Sequence, residues 1–105
     1  GGENVASREV EETIYRLPQV SEVAVVGLPD ARWVEAVTAV VVVKAGLALN
    51  EAEVMAHCSA HLAGFKCPKR VVFVEALPKN PSGKLLKRQL RLELNEAGAS
   101  KPVHN

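Results

Sequence analysis

Between Val37 and Val43 the chain reads Val-Thr-Ala-Val-Val-Val-Val, a run too continuously apolar for both of its faces to meet water. Such a strand has to lie in a sheet whose faces are covered, and other elements of the chain must supply the cover. The chain has 105 residues, 48% of them hydrophobic and 24% charged, which suits one compact domain with a modest core. Around this strand, expected at Ala36–Lys44, the pattern supplies two more. Glu22 to Gly27 is valine-rich and closes on the turn signal Leu28-Pro29-Asp30; Arg70 to Val74 follows Cys67-Pro68.

Three helices are expected as cover. Ser7 is a candidate N-cap followed by Glu9, Glu11 and Glu12, where the helix dipole favours acids. Val10, Ile14 and Leu17 form its apolar face and Pro18 stops it. Asn50 with Glu53 resembles a capping box opening a second helix, striped by Val54, Met55, Cys58 and Leu62 and ended by Gly64. After a loop from Leu77 to Gly83, Leu85–Leu94 reads as a basic amphipathic helix carrying Leu86, Leu90 and Leu94. Residues from Glu96 onward are expected to form a disordered tail. The fold class predicted is α+β, a small sheet of about three strands covered by helices, without internal repeats.

No apolar run approaches the roughly 18–20 residues needed to span a bilayer. The opening Gly1-Gly2-Glu3-Asn4 has neither the basic nor the apolar region of a signal peptide and lacks an initiator Met, which suggests a fragment or a processed product. Cys58 and Cys67, nine residues apart and without CxxC spacing, read as ordinary thiols in a reducing cytoplasm.

Net charge is only +1, yet it is unevenly spread. Residues 1–30 hold six acids against Arg8 and Arg16, a net of −4; residues 64–91 hold eight bases against Glu75, a net of +7. That asymmetry points to an anionic partner for the second half. On its own it suits a nucleotide, a coenzyme, a membrane surface or a nucleic acid alike. An aromatic content of 4% argues against a nucleic-acid-binding module, which would need interleaved stacking residues.

The segment Pro78-Lys79-Asn80-Pro81-Ser82-Gly83-Lys84 brackets a tight turn that presents Lys84, a mobile point charge suited to a phosphate or carboxylate. It is not a Walker A loop, because Pro78 stands where the first glycine is required and Leu85 where Ser or Thr would bind magnesium. On composition alone the segment reads as a surface turn followed by a solvated lysine. His57 and His61 have the i, i+4 spacing of a metal-binding face but no third ligand, so they read as a solvated helix face, as do Lys87, Arg88 and Arg91. Trp33 reads as a packing residue, and Glu35 is assigned no chemistry.

Taken together, GGENVASREVE, VAVVGLPDARWVEAVTAVVV and FKCPKRVVFVEALPKNPSGKLLKRQLR resemble the C-terminal domain of the acyl-CoA synthetase, luciferase and peptide-synthetase adenylation superfamily, in the expected order from Gly1 to about Leu94. The resemblance implies a lid domain over residues 1–95 with a tail at 96–105. It implies an ATP-dependent, AMP-forming acid–thiol ligase that makes an acyl-adenylate and then, after rotation of the lid, an acyl-CoA. Lys84 would be the catalytic residue, contacting the substrate carboxylate and adenylate oxygens, with Gly83 shaping the loop that presents it. Gly1, Gly2 and Glu3 would lie beside the pantetheine tunnel, and Lys66, Lys69 and Arg70 could meet coenzyme A phosphates. ATP and coenzyme A are the implied cofactors. Magnesium would come with ATP and be bound by a large N-terminal domain of the same polypeptide, without which the isolated chain is expected to be inactive. Where many members carry Tyr-Pro this chain has Ala6-Ser7, many have Gly in place of Val34, and Cys67 fills a variable position. The first two lean towards bacterial fatty-acyl-CoA ligases over peptide-synthetase modules. Acetylation of Lys84 is expected to switch adenylation off. The alternatives are a peptide-synthetase-type adenylation part and a non-catalytic binding or regulatory domain derived from the same lid.

Overall fold

The computed structural model describes residues 5–30 and 34–100. In chain order these form α1 (Val5–Tyr15), β1 (Val20–Asp30), β2 (Val34–Val43), α2 (Glu51–His61), a single 3₁₀ turn (Gly64–Lys66), β3 (Arg70–Phe73) and α3 (Lys87–Ser100). The three strands make one sheet in the order β1-β2-β3. β1 and β2 are antiparallel, with Val23 opposite Val41 and Val26 opposite Thr38, and an irregularity between Val20 and Glu22. β2 and β3 are parallel, from Thr38 opposite Arg70 to Val41 opposite Phe73.

The valine run therefore forms the middle strand, and its alternating side chains feed two cores. Ala39 and Val41 pack with Val10 and Ile14 of α1 and Val54, Cys58 and Leu62 at α2. Val40 and Val42 pack on the opposite face with Ala24, Val26, Leu28, Leu77 and Leu90. Helices on both faces explain why the strand lacks an apolar–polar alternation. The buried Thr38 satisfies its hydroxyl by donating to the Ala36 carbonyl at 3.1 Å, as burial of a polar group requires.

Several boundaries differ from the sequence expectation. Leu28-Pro29-Asp30 is not the turn but the end of β1, paired with Val34, Glu35 and Ala36. Proline is tolerated there because β1 is an edge strand whose outer N–H groups need no ladder partner. Ser7 lies inside α1, two residues past its start, so it is not the N-cap. α2 ends at His61, before Gly64, with the Leu62 N–H donating to the Cys58 carbonyl at 2.8 Å. α3 starts at Lys87 and runs through Ser100, so residues 96–100, expected as tail, are helical. The capping box is present as expected: the Asn50 side chain accepts from the Glu53 N–H at 2.8 Å, and the Glu53 carboxylate accepts from the Asn50 N–H at 2.9 Å.

Candidate active site

The loop that carries Lys84 is built around Asn80. Lys79 and Leu85 pair across it as an isolated antiparallel bridge, and the Leu86 N–H donates to the Pro78 carbonyl at 2.9 Å. Inside that neck the Asn80 side-chain oxygen accepts from the Ser82 N–H at 3.1 Å, the Ser82 hydroxyl at 2.9 Å and the Lys84 N–H at 2.9 Å. The Asn80 N–H donates to the Lys84 carbonyl at 2.9 Å and its carbonyl accepts from the Gly83 N–H at 2.8 Å. Gly83 has φ 89°, a conformation that side-chain-bearing residues adopt only under strain. A Cβ there would meet nothing within 4 Å, so backbone conformation, not crowding, is what glycine provides.

Both flanks of the loop are fastened to the rest of the fold. Leu77 is buried and Leu85 packs against the same core. The Lys79 ammonium lies 2.6 Å from the Glu22 carboxylate on β1. Beyond the loop, the Lys87 ammonium lies 2.7 Å from Glu11, with side chains only 20% and 16% exposed. Glu11 also accepts from the Val25 N–H at 2.8 Å, satisfying an outer donor of the edge strand. Lys87 is thus not the solvated residue expected: a long stem lets it bury along the helix and bring its charge to a carboxylate. From this rigid frame Lys84 is exposed, and its ammonium makes no ion pair with any described residue. What the frame can do chemically is hold one positive charge at the protein's edge, aimed outward.

The other basic candidates lie elsewhere. Arg70 opens β3 opposite Thr38, which faces Val26, whereas Glu22 sits opposite Val42. Two strand spacings across and four residues along put Arg70 and Glu22 roughly 16 Å apart at diagonal corners of the sheet. Lys66 pairs with Glu9 of α1 at 2.9 Å, and the Lys69 N–H donates to the Val37 carbonyl at 2.8 Å. Beside them Phe65 is 83% exposed, and the Lys66 ammonium stands 5.8 Å from its ring centre. Sequence reasoning passed over Phe65, although an aromatic directly beside Lys66 and close to Lys69 and Arg70 was its signal. It also passed over Asn80, whose signal was the turn-forming Asn-Pro-Ser-Gly string. Arg88 and Arg91 are exposed and line a groove of about 360 Å³ with Gly27, Pro29 and Leu92.

Gly1, Gly2, Glu3 and Trp33 lie outside the described residues. His57 is half-buried, with Nε2 2.8 Å from the Thr13 carbonyl oxygen of α1, so it ties two helices together and does not merely face solvent. His61 Nδ1 lies 2.9 Å from the His57 carbonyl oxygen. Among the described residues no group of three or more His, Cys, Asp or Glu could hold a metal ion, and no helix is long and apolar enough to cross a membrane. Cys58 and Cys67 are free thiols.

A three-stranded mixed sheet between helices is the architecture of the C-terminal domain of acyl-CoA synthetases. The chain belongs to the AMP-binding enzyme C-terminal domain family, whose model matches residues 9–84. It is 48% identical over 91 residues to the long-chain-fatty-acid–CoA ligase FadD13 of Mycobacterium tuberculosis, covering 87% of this chain and 18% of that protein. It is 50% identical over 93 residues to a Rhodococcus jostii 3-[(3aS,4S,7aS)-7a-methyl-1,5-dioxo-octahydro-1H-inden-4-yl]propanoyl:CoA ligase, covering 89% and 18%. Among solved structures, a Mycobacterium tuberculosis fatty acyl CoA synthetase superposes with a TM-score of 0.82 at 45% identity, over 92% of this chain and 19% of that one. ATP-bound MatB from Rhodopseudomonas palustris matches with a TM-score of 0.82 at 43% identity, over 92% and 19%. The chain thus spans about a fifth of the length of these relatives.

Proposed function

We propose that this chain is the lid of an ATP-dependent, AMP-forming acyl-CoA ligase and that Lys84 is its adenylation residue. The observation that carries the proposal is the exposed Lys84, without an ion pair among the described residues and held on the Asn80 loop, in a chain whose relatives are CoA ligases. The substrate carboxylate must approach the α-phosphate of ATP, one anion meeting another. Attack forms the acyl–oxygen–phosphorus link and breaks the bond to pyrophosphate, with charge building on the non-bridging oxygens. An ammonium bridging carboxylate and phosphate screens the repulsion and stabilises that charge, a contribution of several kcal/mol when it is preorganised. The cavity for both substrates belongs to a large N-terminal domain, as does the magnesium that accompanies ATP, and the isolated chain is accordingly inactive. FadD13's name and the sequence departures favour a fatty acid as substrate, and the unpaired thiols of Cys58 and Cys67 favour a reducing compartment such as the cytoplasm.

In the second half-reaction, coenzyme A sulfur attacks the acyl carbonyl and AMP leaves. The lid turns between the two poses, and Gly1, Gly2 and Glu3 then stand beside the pantetheine arm. Lys66, Lys69 and Arg70 meet the phosphates, and the exposed Phe65 ring, flanked by cations, offers a stacking face to the adenine. The diagonal separation of this corner from the Lys84 loop supports two docking faces over one.

Replacing Lys84 with Ala in the complete protein is expected to slow ATP–pyrophosphate exchange by about 10²–10³-fold while thioester formation from supplied acyl-adenylate stays within a few-fold. Unchanged exchange would overturn the assignment. Phe65→Ala and Lys69→Ala should do the reverse, raising the KM for coenzyme A about tenfold with exchange intact; an unchanged KM removes this corner from the coenzyme site.

A further inference from the structure

We propose that Asn80 is the positioning residue of adenylation, the group that fixes where the Lys84 ammonium can reach; this rests on the reading of Lys84 above. Both backbone polar groups of Lys84 bond to this one residue: its N–H to the Asn80 side-chain oxygen at 2.9 Å, its carbonyl to the Asn80 N–H at 2.9 Å. The same oxygen takes the Ser82 N–H at 3.1 Å and the Ser82 hydroxyl at 2.9 Å, and the Asn80 carbonyl takes the Gly83 N–H at 2.8 Å. Two backbone N–H donors on one side-chain atom require that atom to be oxygen, which settles the amide's orientation.

A lysine side chain has four carbons and can point almost anywhere from a given Cα. Its effective concentration at a distant reacting centre therefore depends on how tightly that Cα and its peptide planes are held. Here the tip of the loop has no packing to hold it. Pro81, Ser82, Gly83 and Lys84 are all exposed, and around Gly83 there is open space. Leu77 and Leu85 anchor the root of the loop, but between root and tip the hydrogen bonds of Asn80 are the fixed points. Losing its side-chain oxygen frees the tip without removing a core residue. The deficit falls on the step that uses Lys84 and spares the one that does not.

The test uses the complete protein with Asn80→Ala, Asn80→Asp and, as reference, Lys84→Ala. Asp keeps an oxygen acceptor for all three donors; Ala has none. Expected is a 10- to 100-fold lower kcat for ATP–pyrophosphate exchange in Asn80→Ala, by roughly the factor that misplacing a catalytic group costs. The KM for ATP, thioester formation from supplied acyl-adenylate and the Tm should stay close to those of the parent, and Asn80→Asp should recover most of the exchange. Should Asn80→Ala not fold, Asn80→Ser, whose hydroxyl is too short to bridge to Lys84, takes its place with the same expectations. Exchange within threefold of the parent overturns the proposal, as does an equal fall in both half-reactions or a failure of Asp to rescue. If Lys84→Ala itself leaves exchange intact, the assignment of Lys84 fails instead, and the two outcomes are told apart in one experiment.

Discussion

Cys58 sits fully buried in the core between α2 and the sheet, and burial, followed by the nearby Cys67, pushes its thiol from the ordinary 9.0 up to about 11. The raised value means that the folded chain holds this proton more tightly than the unfolded chain does. Its contribution to stability is complete below pH 9 and is lost as pH climbs through 9 towards 11, because only the unfolded chain can then ionise. Urea unfolding of the 105-residue chain should show the parent losing about 2 kcal/mol more than Cys58→Ala across that window. Parallel pH profiles for the two would show that the thiol is not the group responsible. At the same scale, the exposed turn that carries Lys84 was legible because its proline, asparagine, serine and glycine are all turn formers. The role of Asn80 was not, since a turn propensity does not say which donors a side chain will find.

Among the elements, the helix starts illustrate what local sequence can and cannot specify. The Asn50–Glu53 reciprocal cap involves only residues three apart, so its geometry is written in the sequence itself. At α1 the serine that the sequence offers as a cap lies inside the helix, whose described part begins at Val5. The first residue of α3 is tied to a partner far along the chain. Lys87 finds Glu11, which also holds the Val25 N–H, so one carboxylate joins α1, β1 and the helix that follows the Lys84 loop. Both side chains are mostly buried, which makes the pair worth more than an exposed one. A double-mutant cycle with Glu11→Gln and Lys87→Met, read by urea unfolding, should return a coupling of about 1–3 kcal/mol. A coupling near zero would mean that the two charges are held independently.

Across the whole molecule, the charge asymmetry takes on a second meaning. The three ion pairs Lys66–Glu9, Lys79–Glu22 and Lys87–Glu11 all join the acidic first 30 residues to the basic segment 64–91. Part of the imbalance that suggested an external anion is therefore an internal complementarity between the two ends of the chain. Lys69, Arg70, Lys84, Arg88 and Arg91 are the bases outside these three pairs, and they fall at separate places: the start of β3, the loop and α3. The five do not form one continuous basic surface, so the composition by itself defines no single anion-binding face.

The apolar run, the three-helix, three-strand order, the second helix's cap and the turn presenting Lys84 were determined by the sequence alone, because each rests on periodicity or on residues a few positions apart. The tertiary structure alone decided that Leu28-Pro29-Asp30 is strand and not turn, and that Lys66, Lys79 and Lys87 are held in ion pairs. Those outcomes depend on groups brought together across 57 or 76 residues of chain, as in Lys79 with Glu22 or Lys87 with Glu11. No local preference encodes them, since the free energy that selects them comes from pairing and burial that exist only once the sheet has formed.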